Sequence, residues 1–400
     1  MKNALTLALL ASALSAPALA QNDAAYGGPK NVPEFQPAFE NQTRAPILQS
    51  DVALQVENVA QGLSNPWGIA VLPDGGYLVT EREGRLRLIT PEGELVKAPI
   101  EGVPAVHNVR QGGLLDVALA EDFSESRVIF VTYSKPMEGN KSVTAAARAV
   151  LSEDMTSLTE VQDIFVQNPP SPTPMHYGSR IIPHNGYAYI TTGEHSSQQE
   201  RVFAQDLDKT YGKIIRVTLD GKAPEDNPFF GQKDAIDTIY ALGVRNVQGA
   251  ALRPDSDEIW LLSHGPKGGD ELNKLEAGAN YGWPVVSYGE TYGGRPIGSG
   301  GPRAQGFVEP RYYWDPVIAP GGFAFKTGEE LSNWNGNIIA SSLNPGGIVR
   351  LTMDGDNVTG EERLLPELGR VRDIEIDKDG SILALTDSGN GRVVRITAQD

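Results

Sequence analysis

Five segments of this 400-residue chain concentrate glycine, histidine, arginine and acidic side chains beyond what a turn requires. The first is Arg110-Gln111-Gly112-Gly113-Leu114-Leu115-Asp116, and the second is His176-Tyr177-Gly178-Ser179-Arg180 followed by Thr191-Thr192-Gly193-Glu194. The third is Gly243-Val244-Arg245-Asn246-Val247-Gln248-Gly249. The fourth runs from Ser263-His264-Gly265-Pro266 through Asp270-Glu271 to Asn280-Tyr281-Gly282-Trp283-Pro284, and the fifth is Gly369-Arg370-Val371-Arg372-Asp373. Neutral imidazole accepts a proton near pH 7, which makes the five histidines natural candidates for a base. Glu194 follows an expected strand, so its carboxylate can orient an imidazole on the same sheet and stabilise the imidazolium. Arg370 and Arg372 lie two apart, which on an extended segment directs both guanidinium groups to one side. Cysteine is absent, which excludes thiol nucleophiles, thiolate metal sites and iron–sulfur clusters.

Such scattered loops need a scaffold that brings them together. From Asp51 onward, short β-rich runs alternate with Gly, Pro, Asn and Asp, and long amphipathic helical patterns are scarce. A degenerate unit recurs, as in Leu72-Pro73-Asp74-Gly75-Gly76-Tyr77-Leu78-Val79-Thr80 and Ile376-Asp377-Lys378-Asp379-Gly380-Ser381-Ile382-Leu383-Ala384-Leu385-Thr386. Looser copies begin near Ala120, Ile182, Arg253 and Lys326. In each, an Asp, Asn or Gly turn reverses the chain into an apolar strand. Repeats of roughly 60 residues predict an all-β, six-bladed β-propeller with four-stranded blades over residues 51–400. A pair of β-sandwiches does not account for so many similar units.

The chain begins with Lys2, an apolar run from about Leu5 to Leu14, and Ala18-Leu19-Ala20. That is the pattern of a secretory signal peptide over residues 1–20, predicting a periplasmic protein that starts near Gln21. Residues 21–50, with Pro29, Pro33, Pro37 and Pro46, read as an extended arm or linker. A formal net charge of −17 makes nucleic acid and anionic membrane poor partners, and no later segment is apolar enough to insert in a membrane.

The five segments, in this order, resemble those of the soluble aldose sugar dehydrogenases that use pyrroloquinoline quinone (PQQ), the soluble glucose dehydrogenase type. The resemblance runs from about Asn65-Pro66-Trp67-Gly68-Ile69-Ala70 to Arg395, and the stretch His264 to Pro284 is its most distinctive part. It implies a six-bladed propeller with the quinone at the channel mouth, and oxidation of an aldose at its anomeric hydroxyl to a lactone. A base takes the hydroxyl proton while hydride moves to calcium-bound quinone. By this resemblance His176 is the general base, assisted by Glu194 and Arg245. Gln111, Arg245, Asn246, Tyr292, Arg370 and Arg372 contact the cofactor, whose carboxylates suit guanidinium forks. The carbonyls of Gly265 and Pro266 hold the catalytic calcium, and Glu271 and Tyr281 a second, structural one. His264 sits beside the metal, because calcium disfavours imidazole nitrogen. The implied partners are the aldose and a small electron acceptor, a quinone or cytochrome. Two positions depart from the family: Asn344 stands where a Lys is frequent, and Val244 replaces a polar residue. Two other readings remain: a calcium-dependent propeller lactonase or esterase, which has no need of clustered arginines, and a non-catalytic binding propeller.

Overall fold

The computed structural model describes residues 23–254 and 256–399. The expected leader over residues 1–20 lies outside them. Twenty-three strands, β1–β23 in chain order, form six antiparallel sheets. The innermost strands are β2 (Pro66–Val71), β5 (Leu114–Leu119), β9 (Gly178–His184), β13 (Val247–Leu252), β17 (Pro320–Phe325) and β21 (Val371–Ile376). Each packs against the innermost strands of both neighbouring sheets, closing a ring around a central channel. This is the six-bladed propeller expected from the repeat.

Five blades have four strands. The first has three, β2, β3 (Tyr77–Glu81) and β4 (Arg85–Ile89). Its outer position is filled by residues 95–101, which make only isolated bridges, Ile89 with Leu95, Leu86 with Ile100 and, toward the second blade, Glu101 with Ser157. Pro99 lies in that segment and has no N–H to continue a ladder. The sixth blade is completed by the N-terminal strand. There β1 (Leu54–Leu63) pairs with β23 (Gly391–Ala398), joining the two ends of the chain in one sheet.

The apolar core is six wedges, one between each pair of adjacent blades. Alternation along single strands feeds two wedges at once. Trp260 and Leu262 face the wedge between blades four and five, while Leu261 between them faces blade three. Residues 23–50 are docked rather than free. Asn31 and Val32 donate backbone N–H groups to Asp315, and Leu48 N–H donates to Glu361 O at 2.8 Å. The arm thus covers the outer edges of the fourth and fifth blades.

At the centre of the ring lies a buried ion triad. Arg180 Nη1 donates to Asp116 Oδ1 at 2.9 Å and to Asp373 Oδ2 at 3.0 Å, and Arg180 Nε donates to Gln248 O at 3.0 Å. The Arg180 guanidinium lies over the Trp67 ring, 4.7 Å from its centroid. The remaining carboxylate capacity accepts backbone N–H groups, Ile181 on Asp116 and Ile69 on Asp373. The sixth inner strand approaches so closely that a Cβ on Gly322 would sit 1.6 Å from Asp373 Oδ1.

Arg180→Ala removes the cation and strands two buried carboxylates. Urea unfolding should show a loss of about 3–5 kcal/mol. Burial already holds the Asp116 carboxyl above its ordinary range against the pull of Arg180. A carboxyl raised in the folded state loses stability as pH rises, so the loss should be larger at pH 8 than at pH 5.

Candidate active site

One end of the channel opens into a cavity of about 250 Å³. Two kinds of position supply most of its lining, and both follow from blade geometry. Segments leading into the innermost strands supply Trp67, Gln111, His176, Arg245, Asn246, Ala319 and Arg370. Turns leaving the second strands supply Arg82, His264, Leu343 and Asp387. Every blade therefore presents equivalent points to one mouth, although the residues are far apart in sequence.

His176 is 6% exposed and held in a left-handed turn at φ 47°. Its backbone N–H donates to Gln111 Oε1 at 2.8 Å, and its Nδ1 lies 2.7 Å from Glu194 Oε1. The loop bearing Glu194 passes so close that a Cβ on Gly193 would fall 1.8 Å from His176 O. Glu194 N–H donates to Arg245 O at 3.1 Å, and Gly178 N–H donates to Asn246 Oδ1 at 2.9 Å. Imidazole loop, carboxylate loop and the Arg-Asn pair are thus tied together by main-chain hydrogen bonds.

Burial, with a smaller contribution from the Arg245 charge, holds the His176 imidazole well below its ordinary 6.5. Burial pushes the Glu194 carboxyl up to about 7, against the opposing pull of Arg245 and His195. Above that value Glu194 is an acceptor, so His176 carries its proton on Nδ1 and presents a bare Nε2. That is the tautomer a general base requires.

Arg370 and Arg372 both line the cavity, and both place Nη2 at 2.8 Å from Asp387 Oδ2. Arg372 Nη1 also donates to Gln248 Oε1 at 2.7 Å. Arg245 Nη1 donates to His264 O at 3.1 Å, while the buried Nε atoms of Arg245 and Arg372 have no hydrogen-bond partner among the described residues. These unmatched guanidinium donors fit a multiply charged carboxylate ligand. Tyr292 reaches the cavity from the long excursion between β15 (Asp270–Lys274) and β16 (Tyr312–Trp314), and is 78% exposed.

Gly265, Pro266, Glu271 and Tyr281 line a second, smaller cavity behind Arg245 and His264, with room for about one water-sized body, 20 Å³. A Cβ on Gly265 would be 2.2 Å from Gly269 O, so this bend needs glycine. Asp270 pins it, accepting Gly265 N–H at 2.7 Å and the N–H groups of Ile318 and Ala319 at 2.8 and 2.7 Å. The Gly265 and Pro266 carbonyls accept no hydrogen bond among the described residues. Burial, with Glu309 and Asp270 nearby, pushes the Glu271 carboxyl up to about 8, against a hydrogen bond from Asn273. The buried Asn273 Oδ1 has no partner among the described residues. Free carbonyls beside a buried carboxyl fit a hard cation. The Tyr281 hydroxyl, however, is taken: it donates to Lys274 O at 2.7 Å and accepts Glu276 N–H at 3.0 Å. Only the backbone of Tyr281 is open to a metal. No group of three or more His, Cys, Asp or Glu side chains suited to a metal occurs among the described residues, so a cation here would depend on carbonyls.

Sequence reasoning missed Arg82, Trp67, Gln248 and Asp387. Arg82 and Asp387 occupy the same place in two copies of the repeat, just beyond the second strand, and that register was the available signal.

The family described as glucose/sorbosone dehydrogenase matches residues 63–395. The chain is 38% identical over 362 residues to aldose sugar dehydrogenase YliI of Escherichia coli (strain K12), covering 88% of this chain and 95% of that protein. It is 26% identical over 410 residues to quinoprotein glucose dehydrogenase B of Acinetobacter calcoaceticus, covering 82% and 84%. Among solved structures, the apo-form of the soluble aldose sugar dehydrogenase from Escherichia coli matches with a TM-score of 0.83 at 37% identity, covering 87% of this chain and 100% of that one. The PQQ-bound form of the aldose sugar dehydrogenase from Streptomyces coelicolor matches with a TM-score of 0.71 at 25% identity, covering 88% and 100%.

In protein with nitrogen-labelled imidazoles at pH 8, magnetic resonance should show His176 protonated on Nδ1. Glu194→Ala should release it to the Nε2–H form usual for free imidazole. A wild-type Nε2–H signal would contradict the orienting role of Glu194.

Proposed function

The chain belongs to the glucose/sorbosone dehydrogenase family, and from that premise we propose that it oxidises the anomeric hydroxyl of aldoses to lactones, using PQQ and calcium. It is an oxidoreductase, a sugar dehydrogenase by its relatives. The observation that carries the finer reading is the His176–Glu194 pair, 2.7 Å apart, opening on a cavity lined by Arg82, Arg245, Arg370 and Arg372. A lactonase or esterase would have no use for so many guanidinium groups.

Arg245, Arg370 and Arg372 bind the cofactor's carboxylates, with Gln111, Asn246 and Tyr292 around them. Gly265, which also lines the active-site cavity, and Pro266 would offer their carbonyls to the calcium on that side, and Glu271 with the Tyr281 backbone would hold a second ion in the smaller cavity. When bound, the quinone would supply a two-electron sink for hydride from the anomeric carbon, with calcium as its Lewis acid. His176 Nε2 removes the hydroxyl proton as that hydride departs, so the C1–H bond breaks while the C1=O bond of the lactone forms. Glu194 accepts the Nδ1–H and stabilises the imidazolium. Trp67 and the Arg180 triad close the cavity floor against the rest of the channel. The electrons then pass to a small carrier, a quinone or cytochrome, in the periplasm. No helix among the described residues is long and apolar enough to cross a membrane.

His176→Asn keeps a hydrogen-bonding group but accepts no proton. It should lower kcat by at least about 100-fold in dye reduction with an aldose, while a quinone titration of the same preparation is unchanged. Turnover within a few-fold of wild type would remove His176 from the mechanism. Chelation should abolish dye reduction, and calcium should restore it better than magnesium, which demands a tighter octahedral shell. Full activity of metal-free, quinone-loaded protein would overturn the calcium assignment.

A further inference from the structure

Four guanidinium groups line the active-site cavity, and their partners differ. Arg370 and Arg372 share Asp387, and Arg245 faces Glu194 at 4.0 Å. Arg82 meets no carboxylate within ion-pair distance among the described residues. Its Nε donates to Gly112 O at 3.4 Å and its Nη2 to Arg110 O. Its sequence neighbours do not neutralise it. Glu81 pairs with Arg85 and Arg87, and Glu83 with Arg85. At the strand end residues 81 and 83 face one way and 82 the other, so the acids point away from the cavity while Arg82 points in.

The placement of Arg82 is built, not incidental. Its N–H donates to Asn65 O at 3.2 Å, and its carbonyl accepts Leu114 N–H at 3.2 Å. The backbone of the neighbouring blade packs directly on it, and a Cβ on Gly113 would lie 2.2 Å from Arg82 O. The guanidinium is therefore held at a fixed point of the mouth, beside the Gln111 loop. Its charge reaches Arg372. Burial first, and then the Arg370 and Arg82 charges, weaken the hold of the Arg372 guanidinium on its proton, against Asp387.

An uncompensated, positioned guanidinium at the mouth of a chain of net charge −17 is a receptor for an anion. We propose that Arg82 is a further cofactor-binding residue that receives a carboxylate of the bound quinone. This rests on the quinone reading above. An acidic sugar offers the same carboxylate chemistry, so the test separates the two sources.

PQQ is titrated into the full, calcium-loaded chain and followed by absorbance, for wild type, Arg82→Gln and Arg82→Lys. A charge-assisted contact predicts a dissociation constant raised about 10–100-fold in Arg82→Gln. Arg82→Lys should recover part of the loss, and the salt dependence of binding should be shallower in Arg82→Gln than in wild type. A purely structural role in the Arg110–Gly112 loop would instead weaken both variants alike, with the wild-type salt dependence. That pattern, or equal midpoints for wild type and Arg82→Gln, overturns the proposal. An unchanged quinone midpoint with KM raised only for a uronic acid overturns it too, and assigns Arg82 to substrate. Failure of wild type itself to take up quinone overturns the quinone reading, and this proposal with it.

Discussion

A single guanidinium at the channel centre holds the ring together. Arg180 leaves the third blade, bonds carboxylates from the second and sixth, a carbonyl of the fourth, and lies over the Trp67 ring at the start of the first blade's inner strand. The fifth blade approaches through Gly322, where any side chain would collide with Asp373. Burying three charges is costly unless their hydrogen-bonding capacity is met. Here most of it is met by the inner strands themselves, through the N–H groups of Ile181 and Ile69. The six apolar wedges are non-directional and would tolerate blades sliding outward. The triad is directional and fixes the radius of the ring, and with it the spacing of every residue at the mouth.

A second repeated contact sets the angle between blades. Thr80, Thr132, Thr191 and Ser341 occupy equivalent places on second strands. Each hydroxyl accepts an N–H from its own inner strand, Gly68, Asp116, Arg180 and Gly321 respectively. Each also donates onward to a carbonyl of the next blade, Leu115, Ser179, Val247 and Arg372. The mouth inherits this regularity, which is why positions separated by more than a hundred residues converge on one cavity.

The blade count was legible because a Pro-Asp-Gly-like turn must reverse the chain once per unit, and turn chemistry is local. The His176, Glu194, Arg245 and Asn246 group was legible because its loops carry more charge and glycine than a turn needs. Arg82 and Asp387 were not, because each is a single polar residue ending an ordinary strand, and only the register of the repeat marks it. Tyr281 shows the opposite limit. Its place in the loop was readable, but the capture of its hydroxyl by Lys274 O depends on how residues 275–280 fold back. At the outer edge of the first blade the fourth position is present only as isolated bridges, because Pro99 interrupts a ladder that the repeat alone would continue. The proline-rich arm reads as a linker by composition, and its docking depends on Asp315 and Glu361, remote in sequence.

The pairing of β1 with β23 imposes an order on the making of the molecule. During synthesis Leu54–Leu63 emerges before every inner strand of the propeller, and its partner Gly391–Ala398 after all of them. Until β21, β22 (Ile382–Thr386) and β23 leave the ribosome, five blades can stack while the sixth has only its outer strand, β1, and the triad lacks Asp373. The circle is therefore completed by a contact between segments very distant in sequence, the kind that is slowest to form. Through that interval an open strand edge stands exposed to other chains, so the nascent protein is most vulnerable to misassembly just before the ring closes.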